Sequence, residues 1–142
     1  MPRSNRLVTQ RVCDIVERYL RGELSDIFQT EIGNTAVAYG GNNLTVSLFG
    51  RPICLLQEEV LSFYGGGTYE SCGNPTRTTR ERINGILALL GDHEIIEDGV
   101  RVFVDRETGE CRLGKGDRYQ PFTDQEGAFV AIKANTQELS FL

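Results

Sequence analysis

A chain of 142 residues with four cysteines, one histidine and a formal charge of -5 fits one domain and is short for two. Its 39% hydrophobic and 25% charged residues are ordinary for a globular protein that buries roughly two-thirds of its unfolded surface and needs neither disulfide nor metal to hold it. Its apolar runs fall well short of the ~20 residues that span a bilayer. The opening MPRSNRLVTQ lacks the apolar stretch of a signal peptide, so no membrane association and a cytoplasmic location are expected.

Val8, Val12, Ile15, Val16, Tyr19 and Leu20 recur at helical spacing, with Arg11, Asp14, Arg18 and Arg21 on the other side. The pattern predicts a helical segment over 4–30, capped by Ser4 and divided at Gly22, with a short second helix ending near Phe28. Packing is the first reading of this helix, and a homodimer through it is the second. The β-rich core is expected over 34–132. TAVAY (35–39) and LTVSLF (44–49) are rich in β-formers and flank the turn sequence GGNN. PICLLQ (52–57) and VLSFY (60–64) continue the meander, with Pro52 at an edge or a strand start.

Thr78 and Glu81 then have the spacing of a capping box. Ile83, Ile86, Leu87 and Leu90 form one apolar face, and Gly91 is placed to end the helix, so a helix over about 79–90 is expected. On that reading Glu81 and Arg82 face outward and Arg80 borders the buried stripe. EIIEDGVRVFVD (94–105) reads as a hairpin turning at Asp98-Gly99 or as one bulged strand. ECRL (110–113) and AFVAI (128–132) are strands, LGKGDRYQPFTDQEG is loop-like, and NTQELSFL is a loose tail. The expected class is α+β: an N-terminal helix, an antiparallel meander, a second helix packed on the sheet, and C-terminal hairpin strands.

Taken in order, NTAVAYGGNNLTVSLFGRPICLL, a strand, CGNPTRTTRERIN, VRVFVDRETGE and PFTDQEGAFV resemble a widespread set of small phage-encoded proteins. Those proteins carry an N-T-x-V opening, a T-x-T-T-K/R-x-R-I-N helix start, an aromatic strand with a turn, and a closing P-F-x-D. The resemblance spans roughly residues 34–130. Where such proteins often have Trp before the Thr cluster and Trp-Tyr in the later strand, this chain has Asn74 and Val102-Phe103, so those aromatic contacts do not carry over. The resemblance implies a viral origin and a fold. It implies no reaction, because the set has no settled activity.

The chemistry-bearing residues are sparse. Cys13, Cys54, Cys72 and Cys111 are scattered and His93 is alone, so zinc-ligand spacing is missing and inert or core thiols are the expected state. His93 reads as a solvated loop residue, and a Cys72–His93 nucleophile pair has no third group to orient it. No catalytic residue, cofactor or metal is expected. Gly65-Gly66-Gly67 has no following Lys or helix and reads as a turn rather than a phosphate loop.

Two surfaces remain. Arg77, Thr78, Thr79, Arg80, Arg82 and Asn84 surround a helix start where an anion could bind, although capping and pairing with the chain's own acids explain them as well. Asp92, Glu94, Glu97 and Asp98, with Glu107 and Glu110 on the next hairpin, form an acidic face suited to a basic partner. Charge is uneven: residues 92–126 hold ten acids against five bases. The leading expectation is therefore a non-enzymatic phage accessory protein that binds a host or viral macromolecule, in the role of a host-defence antagonist. The alternative is a nucleic-acid or nucleotide-binding module built on the 76–84 helix start.

Overall fold

A computed structural model describes residues 5–142. The fold is α+β: helix α1 (Asn5–Leu20), strands β1 (Phe28–Ile32), β2 (Thr35–Gly40), β3 (Asn43–Leu48), β4 (Arg51–Leu56) and β5 (Val60–Tyr64), helix α2 (Arg77–Asp92), strands β6 (Arg101–Val104), β7 (Cys111–Lys115) and β8 (Arg118–Pro121), and β9 (Phe129–Lys133). The meander β1-β2-β3-β4-β5 is extended by β9 into a six-stranded antiparallel sheet, and β6-β7-β8 form a second antiparallel sheet. No helix among the described residues is long and apolar enough to cross a membrane.

Local chemistry sets the turns. Gly41 and Asn42 both take positive φ, 57° and 65°, in the two-residue link between β2 and β3, the backbone that suits the twist of a hairpin. A bulge between Val46 and Ser47 lets Ile53 and Cys54 both turn inward.

Both helices lie on one face of the large sheet. Val8, Val12 and Val16 of α1 and Ile83, Ile86, Leu87 and Leu90 of α2 join Val37, Val46, Leu56, Phe63 and Ile132 in a single core. Each fully buried side chain of this kind stabilises the fold by about 1.5–3 kcal/mol. The apolar stripe of α1 is thus used inside the chain. The helices cross closely at Gly85, where a Cβ would fall 2.5 Å from Thr9 Cγ2 and 3.2 Å from Cys13 Sγ.

Several expectations are corrected. The Ser4 cap lies outside the described residues. The helical segment ends at Leu20, and Phe28 starts a strand rather than ending a helix, because Thr30 and Ile32 pair with Val37 and Thr35 across β2. Only 101–104 of the 94–105 stretch is strand. The supposed loop after Leu113 contains the end of β7 and all of β8. Gly91 lies within α2, and the left-handed residue that ends the helix is Glu94, at φ 58°.

Candidate functional site

The start of α2 is built differently from the capping-box reading. Thr76 is the N-cap: its Oγ1 accepts from the Thr79 amide at 3.3 Å and lies 3.1 Å from the Thr79 hydroxyl. Pro75 precedes it, fixing the chain at the point of entry. Thr78 is inside the helix, where its hydroxyl accepts from Asn5 Nδ2 at 3.4 Å. Moving the cap two residues earlier removes the Thr78–Glu81 box.

The six candidate residues of this segment do not converge. Arg77 is exposed and makes no hydrogen bond or ion pair among the described residues. Arg80 pairs with Glu70 at 3.0 Å, and Thr79 is 1% exposed. Arg82, expected on the outer side, is fully buried, which contradicts its assignment as an anion contact. It falls on the stripe of Thr79 and Ile86, three residues before it and four after, and that stripe is covered by α1.

The Arg82 guanidinium is satisfied by neutral oxygens. Nε donates to Thr35 Oγ1 at 3.1 Å. Nη1 donates to the Asn5 carbonyl at 2.9 Å and Thr9 Oγ1 at 2.7 Å, and Nη2 to Asn5 Oδ1 at 3.3 Å and Asn34 Oδ1 at 3.2 Å. Five bonds from one side chain tie α2 to α1 and to the β1–β2 hairpin. Burial lowers the Arg82 pKa, opposed by nearby Glu81, yet a guanidinium stays charged in a protein. Asn84 plays a related part: its Oδ1 accepts from the Val102 amide at 2.6 Å and its Nδ2 donates to the Val102 carbonyl at 3.0 Å, pairing β6 as a neighbouring strand would. Asn74 does the same for β7, accepting from the Cys111 amide and donating to the Gly109 carbonyl, both at 2.9 Å.

The turn at Gly65-Gly66-Gly67 stands beside this helix start. A Cβ on Gly66 would lie 3.5 Å from Thr79 Oγ1, and the Arg51 side chain rests against Gly67. Arg51 and Arg77 are the cations left unpaired here.

The acidic residues fall into two groups. Asp92, Glu94, Glu97 and Asp98 line one open depression of about 690 Å³, with Asn135, Thr136 and Gln137 opposite. Glu97 is tied down at its edge: Arg118 donates to both carboxylate oxygens at 2.8 and 2.7 Å, the Leu139 amide donates at 3.0 Å, and Lys115 lies at 3.1 Å. The Arg118 bonds first, then the Leu139 amide and Lys115, hold its carboxyl well below the usual carboxylate range. Asp92, Glu94 and Asp98 are exposed, with no cation on their carboxylates among the described residues. Glu107 and Glu110 stand apart, contrary to expectation. They lie at the far end of the β6–β7 ladder, which runs from Arg101↔Gly114 to Val104↔Cys111, and Glu110 pairs with Arg112 at 2.9 Å.

Cys72 and His93 do not meet. Cys72 precedes α2, whereas His93 caps its far end, some ~24 Å away along 16 helical residues. His93 lies in the turn that ends α2, with its side chain 25% exposed and its Nε2 3.4 Å from Glu17 Oε1. Burial pushes the Cys13 and Cys111 thiols up to about 11, and Cys54 is also raised, so these three are poor nucleophiles at neutral pH.

The outward face of the six-stranded sheet is a surface that reading the sequence missed. Gln29, Ala38, Thr45, Leu55, Ser62 and Ala131 align in one row across all six strands. Ala36 and Ser47 follow in the next row, and Tyr64 packs on Phe129 with ring centroids 5.1 Å apart. Among the outward strand positions only Glu31 and Lys133 are charged. The signal was present in TAVAY and LTVSL, whose outward residues are Ala, Thr and Ser rather than Lys or Glu. Compared with known proteins, the chain matches no family model, no curated protein and no solved structure.

Proposed function

We propose that this chain is a non-enzymatic accessory protein of a bacteriophage that docks a basic surface of a host or viral macromolecule through the Asp92–Asp98 depression. The observation that carries the reading is the convergence of three exposed, unpaired carboxylates, Asp92, Glu94 and Asp98, on one concavity. A concave acidic surface steers a basic partner and gives specificity by complementarity. The motif order of residues 34–130 supports the phage origin, and with it action in the cytoplasm of an infected bacterium against a host-defence factor.

The helix-start alternative has less behind it, since Arg82 is buried and Arg80 is paired. Arg51 and Arg77 are what remains of it. The test is a pull-down from host lysate with the wild type, Asp92→Asn/Glu94→Gln/Asp98→Asn, and Arg51→Ala/Arg77→Ala. The acidic reading expects a protein partner that the carboxylate variant loses and that elutes as salt screens the contact. A partner retained by the carboxylate variant rejects it. Salt-dependent nucleic-acid binding abolished by Arg51→Ala/Arg77→Ala supports the alternative instead.

A further inference from the structure

An antiparallel sheet with one face in water normally alternates apolar-in with polar-out. Here β3 keeps that rule, with Asn43, Thr45 and Ser47 outward, but its neighbours present Ala36, Ala38, half-buried Leu55, Ala131 and Phe129, 48% exposed, so the outward face is short of charge and partly apolar. We infer that a second copy of this chain covers that face. The inference does not rest on the acidic depression, which shares no residue with the face.

Two arguments select a second copy. The first is charge. The chain carries -5, so copies repel at long range, and approach costs least where the surface is neutral. The face holds one acid and one base at diagonally opposite corners: Glu31 on edge strand β1, in the row of Ala36 and Ser47, and Lys133 on β9, opposite Val60. A two-fold axis lying in the face, perpendicular to that diagonal, sets each Glu31 toward the other copy's Lys133, the reciprocal contact of an isologous interface. The second argument is area. Six strands about 4.8 Å apart and about five residues long span roughly 29 by 17 Å. Complete overlap of two such faces would bury on the order of 1,000 Å² of combined surface, the lower bound for a specific interface.

Sedimentation equilibrium on the full chain tests the inference, over about 5 to 500 µM, a range that reads dissociation constants near the micromolar scale. The wild type should show a monomer–dimer equilibrium within this range. Ala38→Glu, a charge at the centre of the face, should weaken dimerisation at least about tenfold while the far-ultraviolet spectrum is unchanged. Thr45→Lys replaces it if Ala38→Glu does not fold. Glu31→Lys and Lys133→Glu should each weaken the dimer, and the two combined should restore it. A wild type that stays monomeric throughout overturns the inference. So does a folded Ala38→Glu or Thr45→Lys chain with the wild-type dissociation constant, or a double reversal that fails to recover.

Discussion

Arg82→Ala tests the account of the α2 start most directly. The substitution leaves five acceptors without their donor. Two belong to Asn5, which is exposed and can turn to water. The Thr35 hydroxyl and Asn34 Oδ1 keep the 2.9 Å bond between them and lose only the Arg82 bond, at about 0.5–1.5 kcal/mol each, whereas the half-buried Thr9 hydroxyl loses its donor at about 1–3 kcal/mol. Removing a fully buried stem adds a cavity penalty of about 1 kcal/mol or more. Against this, a charge with no carboxylate counter-ion is no longer held out of water, which returns part of a penalty of several kcal/mol. The net expectation is a loss of about 3 kcal/mol. Arg82→Lys should recover less than half of it, since an ammonium has three donors and cannot reproduce the fork. Urea unfolding at pH 7 measures both, read as midpoint shifts at constant slope. An Arg82→Ala midpoint within about 0.5 kcal/mol of wild type, or a Lys variant equal to wild type, would refute the reasoning.

Thr76→Ala should cost about 0.5–2 kcal/mol through loss of the cap, and Thr78→Ala less than about 0.5 kcal/mol, in the same urea assay; the reverse ranking would restore the capping box. Gly85→Ala gains about 0.8–1 kcal/mol of helix propensity but forces a methyl onto Thr9, at about 1–3 kcal/mol, so a net destabilisation and a lower melting temperature are expected. Glu97→Gln should be less stable than wild type at pH 7. The folded carboxyl titrates below its unfolded value, so its contribution is complete above the ordinary carboxylate range. That contribution is lost as pH falls through about 4 toward the folded value, and thermal melts from pH 7 to pH 2 should show the gap closing. A gap that widens toward low pH contradicts the Arg118–Glu97–Leu139 arrangement.

The strands and the core stripe of α2 were legible because their periodicity is strong: Leu44, Val46 and Leu48 alternate inward along β3, and Ile83, Ile86, Leu87 and Leu90 keep helical spacing. What escaped was decided by tertiary pairing. Residues 28–32 do alternate Phe28, Thr30 and Ile32 with Gln29 and Glu31, but the run is only five residues long and overlaps the end of the expected helical segment; its pairing with the edge of β2 is what makes it a strand. Arg82 falls outside a stripe drawn through Ile83, Ile86, Leu87 and Leu90 alone, but it lies three residues after Thr79 and four before Ile86, on the edge that α1 covers. Its burial depends on five oxygens from residues 5, 9, 34 and 35, which sequence spacing does not bring together. The acidic run was visible, but its division was not. Glu97 is neutralised by Lys115 and Arg118, whereas Glu107 and Glu110 were placed beside it only because the ladder between them was unread.

The hydrogen bonds of Arg82 and Asn84 bear on where a partner would be found. Asn34 and Thr35 open the N-T-x-V element, Arg82 and Asn84 close the T-x-T-T-R-x-R-I-N element, and Arg82 joins the two through Thr35 Oγ1 and Asn34 Oδ1. Asn84 then fastens the helix to Val102, in the strand that follows in the motif order. These residues are occupied in holding elements distant in sequence, and replacing any one leaves buried groups without partners. A resemblance carried by such residues implies a shared framework more than a shared ligand. On the proposed function, partner choice falls to positions the framework leaves open: the carboxylates of Asp92, Glu94 and Asp98, and the uncharged outward residues of the large sheet. Substitutions in the first group should change what the chain captures, those in the second how many copies assemble, and those at Arg82 or Asn84 stability before either.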